Sequence, residues 1–71
     1  MAARKVTKSY RVRVLLNFRA APALTAEILR ELQPGETVEK VTAPEKAPKG
    51  WIYVKAGEMT GWCMEEYLEV I

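Results

Sequence analysis

The stretch Gly50-Trp-Ile-Tyr-Val-Lys-Ala-Gly-Glu-Met-Thr-Gly-Trp-Cys63 decides the fold of this 71-residue chain. It contains both tryptophans and three of the four glycines. Before Ala56-Gly57 the aliphatic Ile52 and Val54 alternate with Trp51, Tyr53 and Lys55, and after it Gly61 and Cys63 alternate with Thr60, Trp62 and Met64. A period of two is typical of β-strands. The stretch therefore predicts a β-hairpin that turns at Ala56-Gly57, with Ile52 and Val54 on one face of its first arm.

A further strand is predicted upstream of this hairpin, from Ser9 to Phe18. Apolar side chains recur there at every second position, which places them on one face of a strand. The strand is expected to end at Ala20-Ala21-Pro22, because proline lacks the N–H group that a sheet requires. The residues assigned to the apolar face are Tyr10, Val12, Val14, Leu16 and Phe18.

Residues 24–32 carry an ambiguous pattern. Leu24, Ile28 and Leu32 are spaced by four, and the segment is rich in helix-forming residues, with Thr25 as an N-cap residue type. Local propensity therefore slightly favours a helix over a strand. A helix of this length is nevertheless marginal without tertiary support. Pro34-Gly35 then predicts a turn.

The remaining segments predict short strands and loops. Residues 36–42 alternate β-branched with charged residues, which predicts a half-exposed strand with either a bulge or a second partly buried face between Val38 and Val41. Two prolines predict an exposed loop over residues 43–49. Residues 65–67 are a candidate helical turn, and residues 68–71 a closing strand. About five short strands with little helix imply a small antiparallel sandwich or barrel.

The residue inventory leaves little room for catalysis. The chain has no His and no Asp, one Ser and one Cys. Neither a Ser-His-Asp nor a Cys-His arrangement can be assembled, and a zinc site made from Cys and His is excluded. Paired Glu residues are a formal acid/base option, but a chain this short rarely forms a cleft that shifts their pKa values. We therefore expect no enzyme and no cofactor, and a single cysteine excludes an internal disulfide.

Charge is distributed unevenly along the chain. Residues 1–26 carry six basic side chains and no acid, whereas residues 27–71 carry five basic side chains and nine Glu. The asymmetry indicates either a solvated basic arm or a basic edge that meets a polyanion, such as nucleic acid or an anionic wall polymer. The solvated arm is preferred, because the basic residues are not interleaved with the stacking aromatics that single-strand binders require.

Domain organisation and location are expected to be simple. Residues 1–9 are predicted to form a flexible basic arm and residues 10–71 one domain. No apolar run approaches the length of a transmembrane helix, so no membrane partner is expected. The N-terminus lacks the apolar stretch of a secretory signal. These features leave the location of the protein undetermined, with synthesis in the cytoplasm expected.

Six segments occur in order along the chain: Leu16-Asn17-Phe18-Arg19-Ala20-Ala21-Pro22, Ile28 to Leu32, Pro34-Gly35-Glu36-Thr37-Val38, Gly50-Trp51-Ile52-Tyr53-Val54, Thr60-Gly61-Trp62 and Tyr67-Leu68. In this order and at this spacing they resemble the bacterial Src-homology-3-like (bacterial SH3) domain family, over about residues 10–70. The resemblance implies an all-β fold, a small five-stranded SH3-like barrel, with a strand rather than a helix at residues 27–32. It also implies action at the cell wall if the chain is part of a lysin-like protein.

The chain also departs from the family pattern. Phe18 and Cys63 each replace a usual valine, Ala21 stands where glycine is usual, and Lys40 occupies a position that is often apolar. Closing short strands into a barrel removes free edges, so each strand needs only two or three inward apolar side chains. The predicted core is Val12 or Val14, together with Leu16, Phe18, Ile28, Leu32, Val38, Ile52, Val54, Cys63 and Leu68.

The resemblance further implies a ligand groove lined by aromatic side chains. Trp51 is its leading candidate, because alternation places it opposite the core residues of its strand. Tyr67 falls where related domains place a groove tyrosine, and Met64 where they place a groove proline. The full predicted set is Trp51, Tyr67, Tyr53, Met64, Asn17, Arg19 and Tyr10.

Several of these residues also have structural interpretations. Tyr10 fits the core as well as the groove, Asn17 could cap its loop, and Arg19 could pair with a Glu or stack on an aromatic ring. Trp62 is expected to pack across the sheet against Tyr53 or an aliphatic neighbour rather than to contact ligand. Cys63 is expected to be a small buried hydrophobe and not a reactive thiol.

The expected function is therefore that of a non-catalytic binding module. The resemblance implies a domain that targets peptidoglycan, often its peptide, or another cell-wall component for an associated wall hydrolase. One alternative is an intracellular protein–protein interaction module that binds an extended or proline-rich peptide. A further alternative is nucleic-acid binding through the basic N-terminal region, which the missing aromatics make unlikely.

Overall fold

The computed structural model describes residues 8–71 of the chain. It consists of short strands and one 3₁₀ turn, Glu65–Tyr67, which lies between the last two strands. The strands are β1 (Lys8–Val12), β2 (Leu16–Arg19), β3 (Ile28–Leu32), β4 (Thr37–Lys40), β5 (Trp51–Ala56), β6 (Met59–Met64) and β7 (Leu68–Val70).

All seven strands belong to one antiparallel sheet with the order β3-β2-β6-β5-β4-β1-β7. The architecture is all-β and consistent with a small SH3-like fold, as predicted. Two details differ from the prediction. The described residues form seven short strands in place of five, and the barrel is not strictly closed, because β3 and β7 end the sheet.

The hairpin predicted from Gly50–Cys63 is confirmed, but its turn lies one residue later than the predicted Ala56-Gly57, because Ala56 still pairs with Met59. Strands β5 and β6 pair from Trp51↔Met64 to Ala56↔Met59. The connection is the two-residue loop Gly57-Glu58, and Gly57 has a φ of 66°, which a two-residue hairpin loop requires and glycine adopts without steric cost. This hairpin lies in the middle of the sheet, with β2 on one side and β4 on the other.

The single strand predicted over Ser9–Phe18 is wrong, because the chain bends at residues 13–15. Strand β1 pairs with β4 and β7, whereas β2 pairs with β3 and β6. Backbone bonds hold the chain at this point: the N–H of Gly35 donates to the carbonyl of Val12 (2.7 Å), and the N–H of Arg13 donates to that of Tyr67 (3.0 Å). Val14 therefore leaves the apolar face and is 44% exposed.

Residues 28–32 form a strand, as the resemblance implied and against the local helical propensity. Pairing with β2 supplies the tertiary support that outweighs propensity. Ile28, which was assigned to the core, is instead 47% exposed, and Leu29 packs against the core. The physical reason is a register shift between Phe18 and Arg19, which changes the face that the start of β3 presents.

Residues 38–41 were predicted to contain either a bulge or a second partly buried face, and the structure shows the second form. Val38 is buried, and Val41, just beyond the end of β4, is half-buried. The N–H of Val41 still donates to the carbonyl of Tyr53 at 3.3 Å, so pairing continues past the strand end. A second partly buried face therefore describes residues 38–41.

The core lies inside the curved sheet. Apart from Ile28 and the exposed alternative Val14, every residue assigned to it from sequence is buried, and Tyr10 and Ala56 join it. Strand β1 begins at Lys8, two residues before the predicted start of the domain. The remainder of the predicted basic arm lies outside the described residues.

Gly61 allows β2 and β6 to approach closely. A Cβ atom at Gly61 would lie 2.9 Å from the carbonyl oxygen of Arg19, and 3.1 Å from a methyl carbon of Leu29 and from the ring of Phe18. These distances are shorter than van der Waals contact, so a side chain does not fit without displacement. Gly61 therefore sets the position of β2, the strand that carries Leu16, Asn17 and Arg19.

Candidate ligand groove

A groove of about 620 Å³ opens beside the bend at residues 13–15. We call it the main groove. Its apolar wall comes from the bend, from the loop between β2 and β3, and from the region where β6 passes into the 3₁₀ turn. The apolar residues are Val14, Leu15, Leu16, Leu24, Met64 and Tyr67.

Several of these side chains are unusually exposed for their size. Leu15 is 55% exposed, Leu24 71% and Tyr67 38%. Isolated exposed apolar residues are ordinary, but a contiguous exposed apolar surface is typical of a binding site. Their convergence on one concave surface therefore makes the main groove the leading candidate site.

Backbone and side-chain hydrogen bonds fix the bend against the 3₁₀ turn. Arg13 donates from its backbone N–H to the carbonyl of Tyr67 (3.0 Å) and from Nη1 to the carbonyl of Glu66 (3.4 Å). The side chain of Tyr67 hydrogen-bonds to Glu66, and this bond, as the largest cause, raises the pKa of the Tyr67 hydroxyl. Leu15 and Tyr67 are thus held on two segments that are tied to each other.

Arg19 fixes the loop between β2 and β3, which contributes Leu24 to the groove. Its Nη1 donates to the carbonyl oxygens of Leu24 (2.8 Å) and Ala26 (3.0 Å). The loop between β2 and β3 is therefore folded over Arg19, with Leu24 placed at the groove. This is a structural role, although Arg19 also lines the groove.

The polar lining of the groove comes from Asn17 and Glu31 as well as Arg19. Asn17 and Glu31 are Cα partners across β2 and β3, so their side chains lie on the same face of the sheet. The adjacent Arg30 pairs instead with Glu36, and this contact is the main cause that lowers the pKa of the Glu36 carboxyl. The main groove thus combines an apolar floor with a carboxylate, an amide and a guanidinium.

Trp51 lines a second, smaller cavity of about 200 Å³, which we call the Trp51 cavity. Tyr53 and Glu65 also line it, together with the loop after β4. Trp51 and Met64 are Cα partners, so their side chains share one face of the sheet. The Trp51 cavity therefore adjoins the main groove across the Trp51 and Met64 pair.

The predicted site residues are accordingly divided. Four of them, Asn17, Arg19, Met64 and Tyr67, meet in the main groove, and two, Trp51 and Tyr53, line the Trp51 cavity. Tyr10, the seventh, is 4% exposed and belongs to the core, where burial is the main cause that raises its hydroxyl pKa. That position leaves it almost no surface for ligand contact.

Tyr53 and the two remaining singled-out residues have largely structural surroundings. Tyr53 donates from its hydroxyl to Oγ1 of Thr60 (2.8 Å), and its ring lies 5.1 Å from that of Trp62, with the planes tilted by 56°. Trp62 is buried, so the expected packing across the sheet is observed. Cys63 is also buried, and burial raises the pKa of its thiol to about 12.

Sequence reasoning missed five residues of the main groove: Val14, Leu15, Leu16, Leu24 and Glu31, of which Leu16 is predicted only as a core residue. One signal was present, because Val14-Leu15-Leu16 is a run of three apolar residues that breaks the period of two. No comparable local signal marks Leu24 or Glu31. Their positions depend on the contacts of Arg19 and on the pairing of β2 with β3.

The family model of the bacterial SH3 domain matches residues 13–69. The chain therefore belongs to the bacterial SH3 domain family. Domains of this family are generally binding modules rather than catalysts, and they bind cell-wall components in general. Searches of curated proteins and of solved structures found no significant match.

Two further observations concern the part of the chain that the structure describes. Within residues 8–71, no group of three or more metal-ligating side chains is placed to hold a metal ion. No helix among the same residues is long and apolar enough to cross a membrane.

Proposed function

We propose that this bacterial SH3 domain binds the peptide part of peptidoglycan in its main groove and so targets an associated wall hydrolase to the cell wall. The observation that carries the proposal is the groove itself: a concave surface with exposed Leu15, Leu24 and Tyr67 and a few polar groups. Such a surface suits an extended chain of amide groups and short side chains. The known tendency of the family to bind wall components supports this choice.

Binding by such a shallow surface is expected to be weak for one domain. The groove is open, and its rim residues are exposed, so much of the binding free energy is spent on ordering ligand and side chains. Linkage to a catalytic domain or to a second binding module would raise the effective affinity without new contacts. We propose that the wall hydrolase supplies this linkage.

A second candidate is an extended segment of a partner protein. The Trp51 cavity favours it, because Trp51 and Tyr53 add aromatic surface beside the main groove. Aromatic-lined grooves are a common way to bind extended and proline-rich peptides. The two candidates use the same surface and differ in the source of the peptide.

Nucleic-acid binding receives less support from the described residues. Arg11 forms an exposed ion pair with Glu69 at 3.8 Å, and Arg13 and Arg19 both donate to backbone carbonyls. These guanidinium groups do not form a stripe of free cations that would track a phosphate backbone. We therefore keep peptide binding as the proposal.

Co-sedimentation with purified peptidoglycan tests the proposal. Leu24→Ser should reduce the bound fraction clearly, because Leu24 is 71% exposed and its loss removes groove surface with little effect on the fold. Ile71→Ser is the matched control, since Ile71 is 59% exposed and does not line the groove. Absence of binding by the wild-type domain, or equal losses in the two variants, would contradict the proposal.

Trp51→Ala separates the two cavities in the same assay. A loss of binding comparable to that of Leu24→Ser would mean that the ligand extends across the Trp51 and Met64 pair into the Trp51 cavity. Binding that is unaffected would restrict the ligand to the main groove. An excess of a proline-rich peptide, added as a competitor, distinguishes the two candidates. Release of the domain from peptidoglycan would favour the second candidate, and an unchanged bound fraction the first.

A further inference from the structure

The charges at the main groove select among wall ligands. The chain has a net charge of +2, which on its own favours anionic polymers. Within the main groove, the guanidinium of Arg19 is oriented toward the loop between β2 and β3, because its Nη1 donates to the carbonyls of Leu24 and Ala26. A carboxylate, that of Glu31, is also present on the same surface.

Glu31 has no ion-pair partner among residues 8–71. The neighbouring Arg30 contacts the backbone carbonyl of Glu31 (3.1 Å), while its guanidinium pairs with the carboxylate of Glu36. The partner of Glu31 across the sheet is Asn17, which is neutral. The main groove therefore carries a carboxylate that pairs with no cation among the described residues, while the guanidinium of Arg19 in the same groove is bonded to loop carbonyls.

Glu31 is exposed, so a cation that reaches it forms a surface ion pair of modest strength. A phosphate that approaches at this point would meet the carboxylate as a like charge. The pattern fits an extended peptide that carries a free primary amine.

We infer that the main groove selects wall peptides with a free primary amine, which pairs with the carboxylate of Glu31. The inference rests on the proposed function and deepens it, because it names the chemical group that the groove recognises. Leu15, Leu24 and Tyr67 would contact the apolar part of the same ligand.

Acetylation of the ligand tests this inference. Purified peptidoglycan is divided, and one half is treated with acetic anhydride, which converts free amines into neutral amides. The wild-type domain should bind the acetylated half about 3- to 10-fold more weakly, the range expected when a charge-assisted hydrogen bond at a partly exposed site is lost. Glu31→Gln should bind both halves equally, at the level of the wild type on acetylated material.

The control variant is Glu58→Gln, which removes the same charge from the exposed loop between β5 and β6, away from both cavities. It should retain the full response to acetylation. Binding of the wild-type domain that ignores acetylation, or equal losses in the Glu31 and Glu58 variants, would overturn the inference and leave wall binding intact. Absence of binding to untreated peptidoglycan would overturn the proposed function and this inference with it.

Discussion

Gly61→Ala should destabilise the domain by bringing a methyl group into the contact between β2 and β6. The added carbon would lie 2.9 Å from the carbonyl oxygen of Arg19 and 3.1 Å from atoms of Leu29 and Phe18. The Leu29 atom is a terminal methyl carbon of a flexible side chain and can move aside. The Arg19 carbonyl is part of a paired strand, so relief there requires the two strands to separate.

The size of the effect follows from two opposed contributions. Overpacking of a well-packed contact costs about 1–3 kcal/mol, and the backbone contact favours the upper part of that range. Replacement of glycine by alanine recovers about 0.4–1 kcal/mol, because the unfolded chain becomes less flexible. The expected net loss is about 2 kcal/mol, which for a domain of this length lowers Tm by about 8–16 °C.

Thermal and urea unfolding of wild type and variant measure this loss. A double variant that also carries Leu29→Ala identifies the contact responsible. Removal of the Leu29 methyl contact should not restore stability, because the clash with the Arg19 carbonyl persists. A Tm of Gly61→Ala within 2–3 °C of wild type, about half a kcal/mol or less, would refute the described approach of β2 to β6.

The remaining predictions concern three side chains. The Cys63 thiol, with a pKa raised to about 12 by burial, should resist iodoacetamide at pH 8 in the folded domain and react on unfolding; rapid native alkylation would contradict its placement. Glu36 has a lowered pKa because Arg30 hydrogen-bonds to it, so its contribution to stability is present above the pKa of the unfolded chain and is lost as pH falls through the folded value. Glu36→Gln should therefore flatten the acid limb of the Tm–pH profile below about pH 4.5, by about 0.5–1 kcal/mol at this partly exposed pair, and an unchanged profile would argue against the pair. Arg19→Met has no donor for the two loop carbonyls, so backbone amides in residues 20–27 should exchange hydrogen faster while those of β5 stay protected; uniform exchange across both would contradict a local role.

The central hairpin and most of the core could be predicted from sequence because their signals are local. Alternation in Gly50–Cys63 defines two strands, and Gly57 supplies the backbone conformation that the turn needs. The buried face of these strands then follows from the period of two. Trp62 is a similar case, since its packing on Tyr53 follows from the pairing of the two arms.

Errors arose where distant contacts override local patterns. Alternation from Tyr10 to Phe18 continues through the bend, but the bonds of Val12 to Gly35 and of Arg13 to Tyr67 interrupt the strand. A register shift beside Phe18 likewise exposes Ile28. Gly35 and Tyr67 are far in sequence from residues 12 and 13, so a pattern confined to a few residues could not reveal these bonds.

The candidate site was predictable only in part for the same reason. The resemblance indicated Met64 and Tyr67, which lie at the end of β6 and in the 3₁₀ turn that follows it directly. Leu24 lines the groove because Arg19 donates to its carbonyl and so holds the loop between β2 and β3 in place. The pattern of apolar residues in the sequence does not reveal this contact. Trp51, the leading residue from sequence, lies in the adjoining cavity.

The most direct test of the account is an NMR titration of the ¹⁵N-labelled domain with soluble peptidoglycan fragments that retain their peptides. The account predicts that the largest amide shifts cluster at the bend, in the loop after β2, at Glu31 and from Met64 to Tyr67, around one concave surface. Shifts that cluster instead on β7 and the adjacent face of β1, or no shifts at concentrations that saturate co-sedimentation, would contradict the main groove as the binding site.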